Sequence, residues 1–287
     1  MRRASQVKRF TRSRAGNIIY FLLLVAAGLF TILPMLYSVF TSFKPLDELM
    51  IFPPRFFAHR PTMENYVSLP SVLSNLAIPL SRYVFNSVFV SVITTVGHIL
   101  VATMAAYVLS KTKLRWRKGI YWTVQFALLY NSYTLAVPQY IIFAKLGIID
   151  TFLAYILPYL PSTLGVFLMK QYMDDSVPEV LLEAAKIDGA GHLTIFMRLI
   201  LPMVKPGWLT LALFAFRDMW SLQPGGTIFS EEMKTLPFVM SQIVNGGIAR
   251  AGNAMAATVL LMIPPILVYL VSQSNVMETM SSAGIKD

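Results

Sequence analysis

The chain has 287 residues, 56% hydrophobic and only 13% charged, with a mean hydropathy of +0.61. Soluble domains carry nearer about a quarter charged residues, so ordinary cytosolic, disordered and collagen-like classes are excluded. Cys 0 removes disulfide frameworks, thiolate nucleophiles and cysteine metal sites, and the net charge of +10 lies between apolar runs, as a membrane topology signal does, so no nucleic-acid partner is expected.

A basic tail, residues 1–16, opens the chain with Arg2, Arg3, Lys8, Arg9, Arg12 and Arg14. The charge-free window between Arg14 and Lys44 predicts a first transmembrane helix over residues 17–42. It is too long for a signal-peptide apolar region and no small-residue cleavage site follows, so it is expected to stay as an anchor. Residues 43–81, rich in proline and turn formers (FPPRFFAHRP), form an extracytoplasmic loop long enough for a small cap. Further charge-free windows lie between Arg82 and Lys111, between Lys118 and Lys145, over residues 151–169, and between Arg250 and Glu278. Crossing about 30 Å of hydrocarbon takes roughly 20 helical residues, and all five windows qualify. A sixth, residues 204–222, is apolar except for Arg217 and Asp218.

The fold class expected is therefore an all-α membrane protein with six transmembrane helices, five of them in a core over residues 82–272. A short tail follows over residues 273–287. Lys and Arg number 16 on the side of the tails, of the loop KTKLRWRKG and of residues 170–205, against 7 on the other. That bias predicts both termini in the cytoplasm.

No GxxxxGK[ST], GxGxxG, HExxH or GxSxG occurs, so no catalytic residue, cofactor or metal is assigned to this chain. His59, His98 and His192 fall on an outer loop, inside a span and on an inner loop, and cannot converge on a metal; His98 reads as a hydrogen-bonded interior residue.

One inner loop, residues 174–206, is too regular for a linker. DDSVPEVLLEAAKIDGAGHLTIFMRLILPMVKP reads as helix, turn, helix. Ser176 and Glu179 have capping-box spacing, and Pro178 is tolerated in a first turn. Val177, Val180, Leu181, Ala184 and Ile187 recur at helical spacing. Gly189 stands where a helix ends with positive φ, and a second helix over residues 192–201 leads to Pro202. A helix lying on lipid would favour Lys and Arg, because the inner leaflet is anionic. This one carries Glu179, Glu183 and Asp188 with only Lys186 opposing them, which suits a protein groove better.

Glu183-Ala184-Ala185, Asp188-Gly189-Ala190, Phe196, Leu201-Pro202 and Pro206 resemble the EAA loop of permease subunits of type I ABC importers. Ser42-Phe43-Lys44, Glu48, Pro53-Pro54 and Glu64-Asn65-Tyr66 are similar to the first outer loop of the carbohydrate-uptake group, near the maltose-permease inner subunit. Arg82-Tyr83 with Asn86-Ser87, Ala106-Tyr107 with Ser110, and Lys145-Leu146-Gly147 with Thr151 follow the same pattern. The resemblance implies a multi-pass permease of the bacterial cell membrane, forming half of the path for a sugar, oligosaccharide or polyol. Its implied partners are a second permease subunit, an ABC ATPase dimer that binds ATP and Mg, and an extracytoplasmic solute-binding protein. The EAA segment would couple to the ATPase through Glu179, Glu183, Ala184, Ala185, Asp188, Gly189, Ala190 and Pro202. The outer loop and the region Lys234-Thr235-Leu236-Pro237 would face the binding protein.

The chain departs from that family in span five, where many relatives carry Trp-Asn and this one reads Arg217-Asp218-Met219-Trp220-Ser221. Arg217 lies roughly 18 Å beyond Lys205 along a helix, and a bare charge at that depth costs about 2.5–3.5 kcal/mol. Arg217 and Asp218 diverge by about 100° and are expected on different faces. They read either as lining of a sugar path, with Trp220 stacked on a pyranose ring, or as ion pairs to another helix or subunit. Tyr133, Gln139 and Asn253 are further candidates for sugar contact, or for bonds to a neighbouring helix. An ion-coupled secondary carrier would need intramembrane carboxylates and repeated helix breaks; Asp218 is the one carboxylate in a span.

Overall fold

The computed structural model describes residues 14–73, 78–129, 132–223, 226–244 and 250–283. The basic tail before Arg14 and Lys286 lie outside the described residues. Eleven longer helical segments carry the fold: α1 Arg14–Ser42, α2 Leu80–Lys111, α3 Arg117–Ala127, α4 Ala136–Leu146, α5 Phe152–Tyr159, α6 Thr163–Ser176, α7 Glu179–Ile187, α8 His192–Met203, α9 Lys205–Trp220, α10 Leu236–Val244 and α11 Ala251–Ala283. No strand occurs among the described residues, as backbone satisfaction in hydrocarbon demands of an open chain.

Three stretches are straight and apolar enough to cross a membrane: Gly16–Ser42, Leu80–Lys111 and Ala251–Gln273. Two bent pairs among the described residues, α5 with α6 at 43° and α8 with α9 at 81°, pass the same test of length and composition if each is taken together. The first bend has a plain cause. Pro158 and Pro161 interrupt the ladder, and Ser162 restarts it by accepting the Gly165 N–H at 2.7 Å. The window between Lys118 and Lys145, expected as one crossing, is instead α3 and α4, each 11 residues. At about 16 Å apiece neither crosses alone. Its charge-free sequence concealed the breaks, with Ser132 opening a 3₁₀ turn and Pro138 confined to the first turn of a new helix.

The chain divides into two compact units. One holds residues up to Leu69 together with residues 246–259. In it the large side chains of α1 are uncovered from Ile18 to Leu36, the state of a helix bathed in lipid. The loop after it is a folded cap. Asn65 Nδ2 donates to the carbonyls of Ser42 and Lys44, both at 2.8 Å, Tyr66 Oη meets Ser42 Oγ at 2.7 Å, and the buried Glu48 carboxylate accepts the His59 N–H at 2.9 Å. Gly252 is required here, since a Cβ on it would stand 2.3 Å from Asn65 Oδ1.

The second unit holds residues 70–245 and 260–287. Its core is built on α2, against which α6 and α9 pack. Small residues allow the approach: a Cβ on Gly165 would meet the Cβ of Ala102 at 3.0 Å, and one on Gly207 the Tyr172 ring at 3.0 Å. Around that seam Ala106, Met169, Met173, Ile195, Phe196, Ile200 and Leu211 form one buried cluster.

Candidate functional site

The regular loop over residues 174–206 begins where α6 stops. Val177 is extended at φ −111, ψ 104, and Pro178 is the N-cap of α7 at φ −66, ψ 138. Proline has no side-chain acceptor, and Ser176 is still the last helical residue of α6. The capping box expected between Ser176 and Glu179 therefore does not form. Glu179 instead serves the first turn by its charge. At the other end Gly189 has φ +80. The Gly189 N–H bonds the Lys186 carbonyl at 3.0 Å and the Ala190 N–H bonds the Ala185 carbonyl at 2.9 Å. This paired closure is a Schellman turn, which needs a residue free to adopt positive φ.

α7 has two apolar faces. Leu182, 5% exposed, turns inward with Val177, and Ala185 and Ala190 pack against the same core. Val180 and Ile187 are 73% and 86% exposed, and Leu181 and Ala184 lie bare beside them. Val177, expected on the outward stripe, belongs to the inward set because it precedes the helix and lies extended. Glu179, Glu183 and Asp188 are exposed around the bare stripe.

The loop is fastened to the end of α2. Lys111 Nζ donates to the Val177 carbonyl at 2.7 Å, Ser110 donates to the Asp174 carboxylate, and Lys170 pairs with Asp174 at 2.6 Å. Tyr107 Oη lies 3.0 Å from His192 Nδ1. Tyr107, Ser110 and Lys111 came to notice only as a family pattern or as loop charge; their partners lie on the far side of the loop. Beyond it, α8 contains a π-turn over Ile195–Ile200. At the 81° bend Trp208 Nε1 donates to the Leu201 carbonyl at 3.0 Å, supplying a donor where the ladder breaks. Pro202 is exposed on the last turn before that bend.

Arg217 and Asp218 sit in the last turn of α9 and are both exposed, with Phe214 one turn below and Ser221 just beyond. The four lie at spacings of three and four, so the two charges, though about 100° apart around the axis, both lie on one broad uncovered side. Neither takes part in an ion pair among the described residues. Trp220 is 6% exposed and stacked on Phe216, ring centroids 5.9 Å apart, so it is not available to a sugar ring in this conformation. Its Nε1 donates to the Leu261 carbonyl at 3.0 Å, the acceptor that Pro265, lacking an N–H, leaves unpaired four residues on. Asn253 Nδ2 donates to the Asn65 carbonyl at 2.9 Å and to Ser68 Oγ at 2.8 Å, so it secures the cap rather than lining a path. Gln139 is half-buried on α4. Tyr133 falls on the turn Ser132–Leu135, and its side chain lies outside the described residues. His98 Nδ1 meets the Tyr159 carbonyl at 2.6 Å, the interior hydrogen bond expected of it.

At the opposite end of α2, residues 226–236 are clasped from three sides. Asp150, at φ 59, accepts the Phe229 and Ser230 N–H groups at 2.9 Å each and the Ser230 hydroxyl. The Ser230 side chain, then its backbone N–H, lower the Asp150 carboxyl below the usual range; slight burial opposes them and the Phe229 N–H adds to them. Asn86 Nδ2 donates to the Glu232 and Lys234 carbonyls at 2.8 and 2.9 Å, the Leu236 N–H to Ser87 Oγ at 2.7 Å, and Tyr83 Oη to Glu231 at 2.8 Å. Burial raises the Glu231 carboxyl, but hydrogen bonds from Lys234 and Tyr83 and the Lys234 charge outweigh it and hold that group low. Among the described residues no cluster of three or more His, Cys, Asp or Glu could hold a metal ion.

No protein-family model matches the chain. It is 30% identical over 268 residues to the sulfoquinovosyl glycerol transport system permease protein SmoH of Agrobacterium fabrum, covering 92% of this chain and 91% of that one. It is 28% identical over 260 residues to the inner membrane ABC transporter permease protein YcjP of Escherichia coli, covering 89% and 91%. To the galactooligosaccharides transport system permease protein GanQ of Bacillus subtilis it is 28% identical over 286 residues, covering 98% of each. The crystal structure of a bacterial ABC transporter involved in the import of the acidic polysaccharide alginate contains a chain that superposes with a TM-score of 0.74, at 21% identity, over 93% of this chain and 99% of its own; that likeness is one of fold.

Proposed function

The chain belongs to the permease family of carbohydrate-uptake ABC importers, and from that membership we propose that it forms half of a sugar path in the bacterial cell membrane, driven through residues 179–190 by a separate ATPase. It is a permease subunit with no ATPase activity of its own, and the ion-coupled carrier is not favoured. Relatives named for sulfoquinovosyl glycerol, arabinooligosaccharides, diacetylchitobiose and galactooligosaccharides support a sugar, oligosaccharide or polyol as cargo. The full assembly comprises a second permease, an ATPase dimer that binds ATP and Mg, and an extracytoplasmic binding protein faced by the outer loop and by the region Lys234-Thr235-Leu236-Pro237. Six crossings follow if each bent pair counts once and α3 with α4 makes the sixth; both termini then share one side, and the Lys/Arg bias assigns it to the cytoplasm.

The observation that carries the coupling role is the bare stripe of Val180, Leu181, Ala184 and Ile187 on a helix whose other side is packed. Acidic residues around the stripe oppose an anionic lipid surface and suit a groove on a protein. Closure of the ATPase dimer would move this helix, and α2 with it, to turn the path outward; hydrolysis would reset it. Phe214, Arg217, Asp218 and Ser221 then line the path, because two charges on a lipid-facing side would each cost about 2.5–3.5 kcal/mol. The test is Val180→Asp and Ile187→Asp. Both side chains are uncovered, so each variant should reach the membrane at normal abundance yet lose the ATPase on co-purification and lose sugar-stimulated ATP turnover. Retention of both properties would remove the coupling assignment.

A further inference from the structure

We propose that the cavity at the start of α2 is a binding site for a phosphoethanolamine lipid, with Arg82 taking the phosphate and Glu232 the ammonium. The cavity is a shallow depression, open over most of its face, of about 530 Å³, lined by Ile78, Pro79, Ser81, Arg82, Phe85 and Glu232. Its polar rim carries one cation and one anion, and neither belongs to an ion pair among the described residues. Neighbouring charges are already committed: Glu231 is held by Lys234 and Tyr83. The Glu232 backbone is pinned by Asn86 at 2.8 Å, leaving its carboxylate on the cavity wall. Among the described residues the Arg82 guanidinium spends only its Nε, on the Glu232 carbonyl at 3.4 Å, and lies 5.9 Å from the Phe85 ring. Its terminal nitrogens therefore remain a fork for a phosphodiester.

The rest of the ligand follows from what lies along the helix. Phe85, Val88, Val92 and Val96 recur at spacings of three and four, and all are exposed. This apolar strip starts at the cavity and runs along a helix that spans hydrocarbon, so a ligand seated there has a polar head and apolar chains. A lone arginine would favour an anionic lipid. Glu232 on the same rim offsets the arginine against a headgroup whose only charge is its phosphate, and supplies a counter-charge for an ammonium, which selects a zwitterion with N–H donors.

The experiment uses the purified, delipidated importer complex in detergent, titrated with dioleoyl phosphatidylethanolamine, phosphatidylglycerol or phosphatidylcholine and read by native mass spectrometry. Phosphatidylethanolamine should bind about tenfold more tightly than phosphatidylcholine, whose quaternary ammonium offers Glu232 no hydrogen bond. Arg82→Gln should weaken the ethanolamine and glycerol lipids alike. Glu232→Gln, a near-isosteric change at an exposed side chain, should abolish the ethanolamine preference and strengthen phosphatidylglycerol. Equal binding of all three lipids by the wild type would overturn the proposal, as would an unchanged rank order in Glu232→Gln. So would soluble phosphoethanolamine binding as tightly as the lipid, since the apolar strip would then contribute nothing.

Discussion

Replacing Gly189 by valine perturbs the α7 turn and almost nothing else in the chain. Gly189 stands at φ +80, where a β-carbon costs about 1–2 kcal/mol, and a branched one falls at the upper end. A Cβ built there meets no atom within 4 Å, so the strain brings no clash inside the subunit. The turn has two ways to respond. It can hold its shape and carry the strain, or unwind and lose the two closing hydrogen bonds at 3.0 and 2.9 Å, each worth about 1 kcal/mol. Either response displaces the bare stripe, and about 1.4 kcal/mol of lost docking energy is already tenfold in affinity. The core around Met169 and Phe196 is not touched. Gly189→Val should therefore reach the membrane normally, lose uptake and bind the ATPase at least tenfold more weakly. Gly189→Asn, which tolerates positive φ, should be milder than Gly189→Ala, which is milder than valine. Uptake, membrane abundance and ATPase co-purification are measured for all three. Wild-type uptake with Gly189→Val at normal abundance would refute the assignment of this loop.

On the inward face, Leu182→Ala should cost about 2–5 kcal/mol, as a buried truncation does, and show as a lower Tm in detergent; Val180→Ala should change Tm little. The depressed Asp150 carboxyl contributes stability that is fully present above its unfolded value and lost as pH falls through the folded one. Acidification below the ordinary aspartate range should then open residues 226–236 to protease, and in Asp150→Ala they should be open already at neutral pH, with little further pH dependence. For topology, cysteines are placed in this thiol-free chain at Val67 and Ile187, both well exposed. Val67→Cys should react with an impermeant maleimide on intact cells and Ile187→Cys only after permeabilisation; the reverse pattern would invert the orientation.

Hydropathy located α1, α2 and α11 well, because each is a long apolar run and their internal prolines, such as Pro34 and Pro264, are absorbed without ending the helix. The same criterion did not show the interruption between α3 and α4, since freedom from charge says nothing about where a ladder breaks. Spacing found α7 but could not say which apolar residues face in: Leu181 and Leu182 are adjacent, and only packing distinguishes them. Gly189 was legible because one local rule, positive φ at a helix end, demanded it. The partners of Asp150 and Asn86 were not, as they lie some 80 and 146 residues away. Trp220 was a candidate because an aromatic ring can stack on a pyranose, and Asn253 was open to a sugar contact or a bond to a neighbouring helix, since side-chain type alone does not name the partner. In the structure Trp220 donates to the Leu261 carbonyl and Asn253 to Asn65 and Ser68.

α2 is bolted at both ends. Asn86 and Ser87 grip residues 232–236, and Tyr107, Ser110 and Lys111 grip the α7 loop. Its 32 residues make a beam of about 48 Å. A tilt of about 5° imposed at one end therefore sweeps the other by about 4 Å without any bond in between having to break. Mechanical work entering at α7, as proposed, would thus reach the far end of α2 through a single stiff member. Slack introduced at either joint, by Lys111→Met or Asn86→Leu, is equivalent to disconnecting the shaft while leaving both of its loads intact.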